Sequence, residues 1–298
     1  MNVIALGNFD GIHIGHQALI RKGLHHARSR GMAFMVLLFI PHPQKVLYPE
    51  GLFGYLMDLD EKKRILSEMG ADEVRVYPFT KEFAALSPEE FVVQTLLPLG
   101  PAHVVVGYNY TFGRRAQGGA QELVRMGREW GFSVDVVPEQ RLDGMRVSSS
   151  DIRQALGQGR VDVVVRMLGR PYRLRGSVER GFQRGRKLGF PTANLWVSSE
   201  MVVPRVGVYV ARVFWQGQVW GALVNIGCNP TFAEGRDNPV SIEVHILDFT
   251  GEIYGQIVAV DFLVRIRSEK KFESGMQLAE QIRSDVAAAR ALLKSYDG

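Results

Sequence analysis

At 298 residues the chain exceeds a single typical core, so two domains are expected. Its 46% hydrophobic and 22% charged content is that of a soluble globular protein, and no run approaches about eighteen apolar residues, which excludes a membrane-spanning helix. A single cysteine, Cys228, excludes an internal disulfide framework and fits a reducing cytoplasm, while the net charge of +5 matters through its distribution.

The chain opens directly on a strand-like run, Val3-Ile4-Ala5-Leu6, with no basic segment, apolar stretch and cleavage site ahead of it. Gly7-Asn8-Phe9-Asp10-Gly11-Ile12-His13-Ile14-Gly15-His16 follows, and a helix-like segment covers 17–30. That order reads as strand, glycine-rich turn, helix start. A helix N-terminus offers unpaired N–H groups and the positive end of the macrodipole, which suits phosphate. Gly7, Gly11 and Gly15 let backbone approach a ligand closely. His13 and His16 are three apart, so on a first helical turn they share a face and can donate to phosphate oxygens. The same pair could ligate a metal, but a zinc site needs further ligands, and His25-His26 lies on the next helix without ligand spacing.

Strand and helix signals then alternate. The apolar run 33–39 reads as a strand buried on both faces, 60–69 as a helix stopped by Gly70, and 74–77 as a strand. Ser87-Pro88-Glu89-Glu90 is a helix start with a capping box, 103–106 a strand ending at Gly107, 121–130 a helix and 134–137 a strand. Such alternation predicts an open parallel sheet with helices on both faces, ligands binding at the carboxyl ends of its strands. The turn 7–16 lies at such an end, and so does Gly107-Tyr108-Asn109-Tyr110-Thr111-Phe112-Gly113, whose aromatics and Asn109 suit a pocket for a flat ring. His42, between Pro41 and Pro43, either lines a site or merely stiffens a loop. Ser148-Ser149-Ser150-Asp151-Ile152-Arg153 is a capped helix start whose serines need do no more than cap, with Arg153 available to phosphate.

The boundary falls near Leu168-Gly169-Arg170-Pro171, giving domains 1–169 and 170–298. Beyond it the period becomes that of strands. Segments 206–215 and 218–226 flank Gln216-Gly217 as a hairpin, and 241–249 and 253–264 look like a second pair joined at Thr250-Gly251. Only 275–294 is helical, with Leu278, Ile282, Val286 and Leu293 on one stripe. A small closed antiparallel β-barrel with a C-terminal helix is the economical fold.

Charge concentrates in the second half. Residues 1–169 hold 19 basic against 18 acidic side chains, and 170–298 hold 17 against 13. Seven bases and one acid fall within 170–187, a cluster fit for nucleic acid or a nucleotide polyphosphate. Without interleaved aromatics or a helix-turn-helix pattern, the nucleotide is favoured, and neither nucleic acid nor membrane is expected as a partner. The segment 176–195 is glycine-punctuated and basic but contains no P-loop string; it reads as a phosphate-binding loop or simply as a basic connection. Thr192 and Asn194 are two apart, so an extended chain aims both hard oxygen ligands one way, as Mg²⁺ beside phosphate requires. Ser241, Glu243 and His245 alternate with Ile242, Val244 and Ile246; by pattern alone they form a solvated barrel face.

Two sets of strings carry a family resemblance. The G-x-F-D-G-x-H-x-G-H turn, Phe39-Ile40-Pro41-His42-Pro43, the 107–113 segment and the Ser148–Arg153 string together resemble the HxGH nucleotidyltransferases, in the form found in bacterial FAD synthetases. Asn109 replaces a commoner Asp and Ser150 a commoner Thr, both keeping hydrogen-bonding capacity. In the second half, Gly176 to Gly181, Gly185-Arg186-Lys187-Leu188-Gly189-Phe190-Pro191-Thr192-Ala193-Asn194-Leu195, Asn225 to Phe232, the 243–249 string and Arg267 to Phe272 resemble riboflavin kinase over nearly all of 174–285.

The resemblance implies a Rossmann-like nucleotidyltransferase followed by a kinase barrel. Riboflavin, FMN and ATP would be the substrates, Mg²⁺ the cofactor and FAD the product. It implies that His13 and His16 hold ATP phosphates within a turn containing Gly7, Phe9, Asp10, Gly11 and Gly15. Asn109 would shape the flavin side, and Ser148, Ser149 and Arg153 would touch nucleotide. In the barrel Gly176, Gly185, Lys187 and Gly189 would border ATP, Thr192 and Asn194 would bind Mg²⁺ and phosphate, and Glu243 would be the general base.

Overall fold

A computed structural model describes residues 1–179, 189–228 and 240–297, and packing divides the chain into two units, 1–149 and 150–298. The first begins with β1 (Asn2–Leu6), α1 (Ile14–Ser29), β2 (Ala33–Ile40), α2 (Pro43–Leu47), α3 (Leu59–Glu68) and β3 (Glu73–Pro78). It continues through α4 (Lys81–Ala84), α5 (Pro88–Phe91) and β4 (Pro101–Gly107) to a short ribbon of β5 (Thr111–Phe112) and β6 (Gly118–Gly119). Next come α6 (Ala120–Trp130), β7 (Ser133–Val137) and a second ribbon, β8 (Arg141–Leu142) with β9 (Met145–Arg146). Five of these strands form one sheet in the order β3-β2-β1-β4-β7, every neighbour parallel.

Both faces of that sheet are covered, which is why its strands read as unbroken apolar runs. Val3, Ala5, Val36, Leu38 and Val105 share one core with Leu19, Ile20 and Ala27 of α1 and with Ile65 and Leu66 of α3. The alternate residues Ile4, Leu6, Met35, Leu37, Val104 and Val106 point the other way, onto Phe91, Leu96, Leu123 and Met126. α5 starts as its capping box predicts, with Glu90 N–H donating to Ser87 Oγ at 3.1 Å and Ser87 N–H to Glu90 Oε2 at 2.7 Å. It runs on as a π-helical turn over Val92–Leu96.

The second unit opens with α7 (Ser149–Gln158) and α8 (Val161–Leu168), the latter packed on β10 (Tyr172–Glu179) and β15 (Ile257–Arg267). Between those two strands come β11 (Ala193–Trp196), β12 (Gly207–Trp215), β13 (Gln218–Cys228) and β14 (Val240–Ile246), and α9 (Gly275–Asp297) ends the fold. Packing thus joins 150–168 to the barrel side, ahead of the Gly-Pro punctuation at 169–171.

The six strands close as a barrel in the order β10-β11-β14-β13-β12-β15. The 216–217 hairpin forms as expected, with Gln216 (φ 47°) and Gly217 (φ 77°) both left-handed, the backbone a two-residue turn of this twist requires. The second expected hairpin does not. β14 pairs with β11 and β13, and β15 with β10 and β12, because closure needs the last strand to seal the gap between the first and third.

α9 lays Val286, Ala289, Leu292 and Leu293 on Val208, Val210, Leu223 and Leu263 outside the barrel. A bidentate pair, Arg267 to Asp285 at 2.7 and 2.9 Å with Asp285 5% exposed, pins it there. At Gly176 β10 passes so close to β11 that a Cβ would strike the Trp196 carbonyl. Gly176→Ala is therefore expected to cost about 3 kcal/mol, measured as a lower urea midpoint for the barrel unit; an unchanged midpoint would remove this packing role.

Candidate functional site

In the first unit the turn after β1 is strained and tightly held. Phe9 (φ 46°), Gly11 (φ 83°) and Ile12 (φ 41°) are left-handed, two of them without being glycine. What fixes them is burial and hydrogen bonding on every side. Phe9 and Ile12 are fully buried, Asp10 accepts from Leu56 N–H at 3.1 Å, Lys62 donates to the Asn8 carbonyl at 2.9 Å, and Ser149 Oγ donates to the Asp10 carbonyl at 2.8 Å. Phe9 and Asp10 thus shape the turn from beneath.

His13 caps α1. Its Nδ1 accepts from Gly15 N–H at 3.2 Å and His16 N–H at 3.3 Å, so the ring's proton sits on Nε2 and the ring is a donor there. Two of the helix N–H groups expected to meet phosphate are taken by this cap, and the buried imidazole carries its own donor on Nε2. His16 stacks on His13 with ring centres 3.7 Å apart and meets the edge of Phe9 at 5.3 Å. Gly15 is needed for the cap, because a Cβ would sit 3.0 Å from the His13 ring.

A cavity of about 640 Å³ adjoins this turn at the carboxyl ends of β2, β3 and β4. Phe39, Phe79, Phe83, Phe91, Tyr110 and Phe112 supply its aromatic walls, and Lys81, Arg114 and Arg115 its cations. Tyr110 and Phe112 stack at 5.9 Å, and burial raises the Tyr110 hydroxyl above its ordinary pKa, keeping it a neutral phenol. Asn8 reaches the cavity from the turn, and among the described residues its buried Oδ1 has no hydrogen-bond partner. An aromatic-walled cavity thus lies at this strand end, with Asn109 itself exposed and the wall beginning at Tyr110. His42 is a cap, accepting from Gln44 N–H at 3.2 Å and stacked on Phe53 at 4.3 Å. Ser148 and Ser149 stand at the start of α7, with Arg153 one turn along it.

The barrel collects a polar row across four strands. Asn194 on β11 lies opposite Glu243 on β14, Glu179 on β10 lies opposite Asn194, and Asn225 on β13 opposite Glu243. Directly opposed residues share a face with Cβ atoms about 5 Å apart, so Asn194 and Glu243 are neighbours. Thr192 precedes β11 and borders a small cavity of about 80 Å³ with Val244 and Phe249. His245 holds that approach, its Nδ1 at 2.8 Å from the Pro191 carbonyl and its ring edge-on to Phe190 at 5.7 Å. Gly189 is left-handed at φ 85° with open space where a side chain would go. Gly176, expected beside ATP, is where β10 meets β11; Gly185 and Lys187 lie outside the described residues. The sequence assigned no part to Glu179 or Asn225, because only strand register puts Glu179 beside Asn194 and Asn225 beside Glu243.

Residues 1–151 match the FAD synthetase family and residues 168–293 the riboflavin kinase family. The bifunctional riboflavin kinase/FMN adenylyltransferase of Bacillus subtilis is 37% identical, the alignment covering 95% of this chain and 90% of that protein. Its counterpart in Listeria monocytogenes is 37% identical over 99% of this chain and 93% of its own length. A crystal structure from Streptococcus pneumoniae, described as a macrolide-efflux protein, superposes with a TM-score of 0.89 at 36% identity, covering 97% of this chain and 93% of that one. Among the described residues no helix is long and apolar enough to cross a membrane.

Proposed function

The chain belongs to the family of bifunctional riboflavin kinase/FMN adenylyltransferases, and from that premise we propose how its residues divide two reactions. The enzyme phosphorylates riboflavin to FMN in the riboflavin kinase part and adenylylates FMN to FAD in the FAD synthetase part, with ATP as co-substrate of both. In our reading the catalytic parts are domains 1–169 and 170–298, both working in the cytoplasm on soluble flavins.

In the kinase, Glu243 accepts the proton of the riboflavin 5′-hydroxyl as that oxygen attacks the γ-phosphorus of ATP, the bond to the bridging β-phosphate oxygen breaks and ADP leaves. The single observation behind this assignment is the register that sets Asn194 directly opposite Glu243, bringing a carboxylate beside a phosphate-side ligand. The donor set suits Mg²⁺: the Thr192 hydroxyl, the Asn194 amide oxygen and neighbouring carboxylates are all hard oxygens. Bound there, Mg²⁺ would neutralise charge on the transferring phosphates. Asn194 keeps Glu243 at the right spacing, and His245 fixes the loop bearing Thr192 through Pro191.

In the adenylyltransferase, the FMN phosphate attacks the ATP α-phosphorus in line and pyrophosphate leaves, with no protein nucleophile. His13 Nε2–H and His16 donate to the phosphates as charge builds on them. Gly7, Gly11 and Gly15 give the backbone room, while Ser148, Ser149 and Arg153 serve the nucleotide. The aromatic cavity holds the isoalloxazine ring, with the Asn8 Oδ1 accepting from a ring N–H and the basic rim attracting the FMN phosphate. Incubating pure protein with riboflavin and Mg-ATP should yield FMN and then FAD on chromatographic separation. Neither flavin appearing would overturn the reading.

A further inference from the structure

At the end of the parallel sheet opposite the His13–His16 turn, three donors converge that the flavin reactions do not use. His103 stands near the start of β4, Asp135 is on β7, two residues beyond the Ser133 that faces His103, and His26 lies in the last turn of α1. The His26 and His103 rings stack at 3.6 Å and 9°. His103 Nε2 is 3.5 Å from Asp135 Oδ2, and the ligand atoms of all three residues lie within 4.8 Å of one another.

Hydrogen bonding anchors the far edge of the His103 ring. Nδ1 lies 2.7 Å from Ser133 Oγ, which is itself 3.3 Å from the Ala102 carbonyl. That turns Nε2 toward Asp135. The His103 side chain is 3% exposed, and among the described residues Nε2 has no hydrogen-bond partner. A buried imidazole nitrogen thus stands beside a carboxylate oxygen, a pairing stabilised by a proton or a metal cation between the two. Two ligands about 2.1 Å from a tetrahedral zinc ion are about 3.4 Å apart, close to the separation found here.

We propose that His26, His103 and Asp135 form a binding site for a divalent transition metal of the zinc class, with solvent completing its coordination. Two imidazoles and one carboxylate are a donor set that zinc takes readily. The metal would tie the end of α1 to two strands. It would stand about 15 Å along α1 from His16, too far to touch the reacting phosphates. Two exposed cations compete for the place: Lys22 lies 3.3 Å from Asp135 Oδ2, and the Arg30 guanidinium touches His26 Nε2. Zinc must displace both, and the His26 ring must turn off Arg30 to bind.

The test uses the full chain without a histidine tag, stripped of metal and titrated with zinc alone by calorimetry. Cobalt(II) absorption reports tetrahedral geometry. We expect one equivalent, an affinity at least tenfold weaker in both His26→Gln and Asp135→Asn, and tighter binding in Arg30→Gln. His26 is only half-buried, so its variant remains informative even if His103→Ala fails to fold. Absence of a stoichiometric site, or binding unchanged in both His26→Gln and Asp135→Asn, would overturn the proposal. So would weaker binding in Arg30→Gln.

Discussion

Glu243→Gln is expected to lower FMN formation from riboflavin by about 10³-fold, within the range a positioned general base supplies. The amide keeps the shape of the side chain and its place opposite Asn194 and Asn225, but it cannot take up the hydroxyl proton. Conversion of supplied FMN to FAD should stay within about twofold of the parent, since a β14 side chain belongs to the barrel's chemistry alone. The measurement is two separate initial rates, one from riboflavin and one from FMN. A variant that still phosphorylates riboflavin at the parent rate would remove Glu243 from the base role.

The mirror-image outcome is expected for His16→Ala. Removing a preorganised donor to the transition-state phosphate typically costs about 10²–10³-fold, so FAD formation should fall by that much while FMN accumulates. His16 is partly exposed above Phe9, and its loss leaves the His13 cap and the fixed turn in place, so the fold should survive. Unchanged circular dichroism would check this. If either variant lost both activities while folded, the two reactions would not be independent.

The turn between β1 and α1 was legible because everything that makes it lies within ten consecutive residues, among them three glycines and two histidines at helical spacing. Its detailed wiring was not. That Gly15 and His16 donate to His13 rather than outward depends on one ring's rotamer, which no spacing encodes. The aromatic cavity was half visible. Tyr110 to Gly113 announced it, but Phe39, Phe79 and Phe83 reach the same walls only because parallel strands end side by side. The misjudged hairpin at Thr250-Gly251 has a similar cause. Its turn signal is local, whereas the pairing of β14 and β15 is decided by closure of the whole barrel. His26 looked inert on its helix for the same reason: the residues it meets, His103 and Asp135, come from strands far along the chain.

The row Glu179–Asn194–Glu243–Asn225 draws one residue from each of four strands, and none of the four is adjacent to another in sequence. Such non-local pairings form late, after the entropy of long loops has been overcome. A half-zipped barrel therefore has Glu243 without Asn194 beside it. With Glu243 as the proposed base, kinase competence would in this sense be a certificate of completed folding.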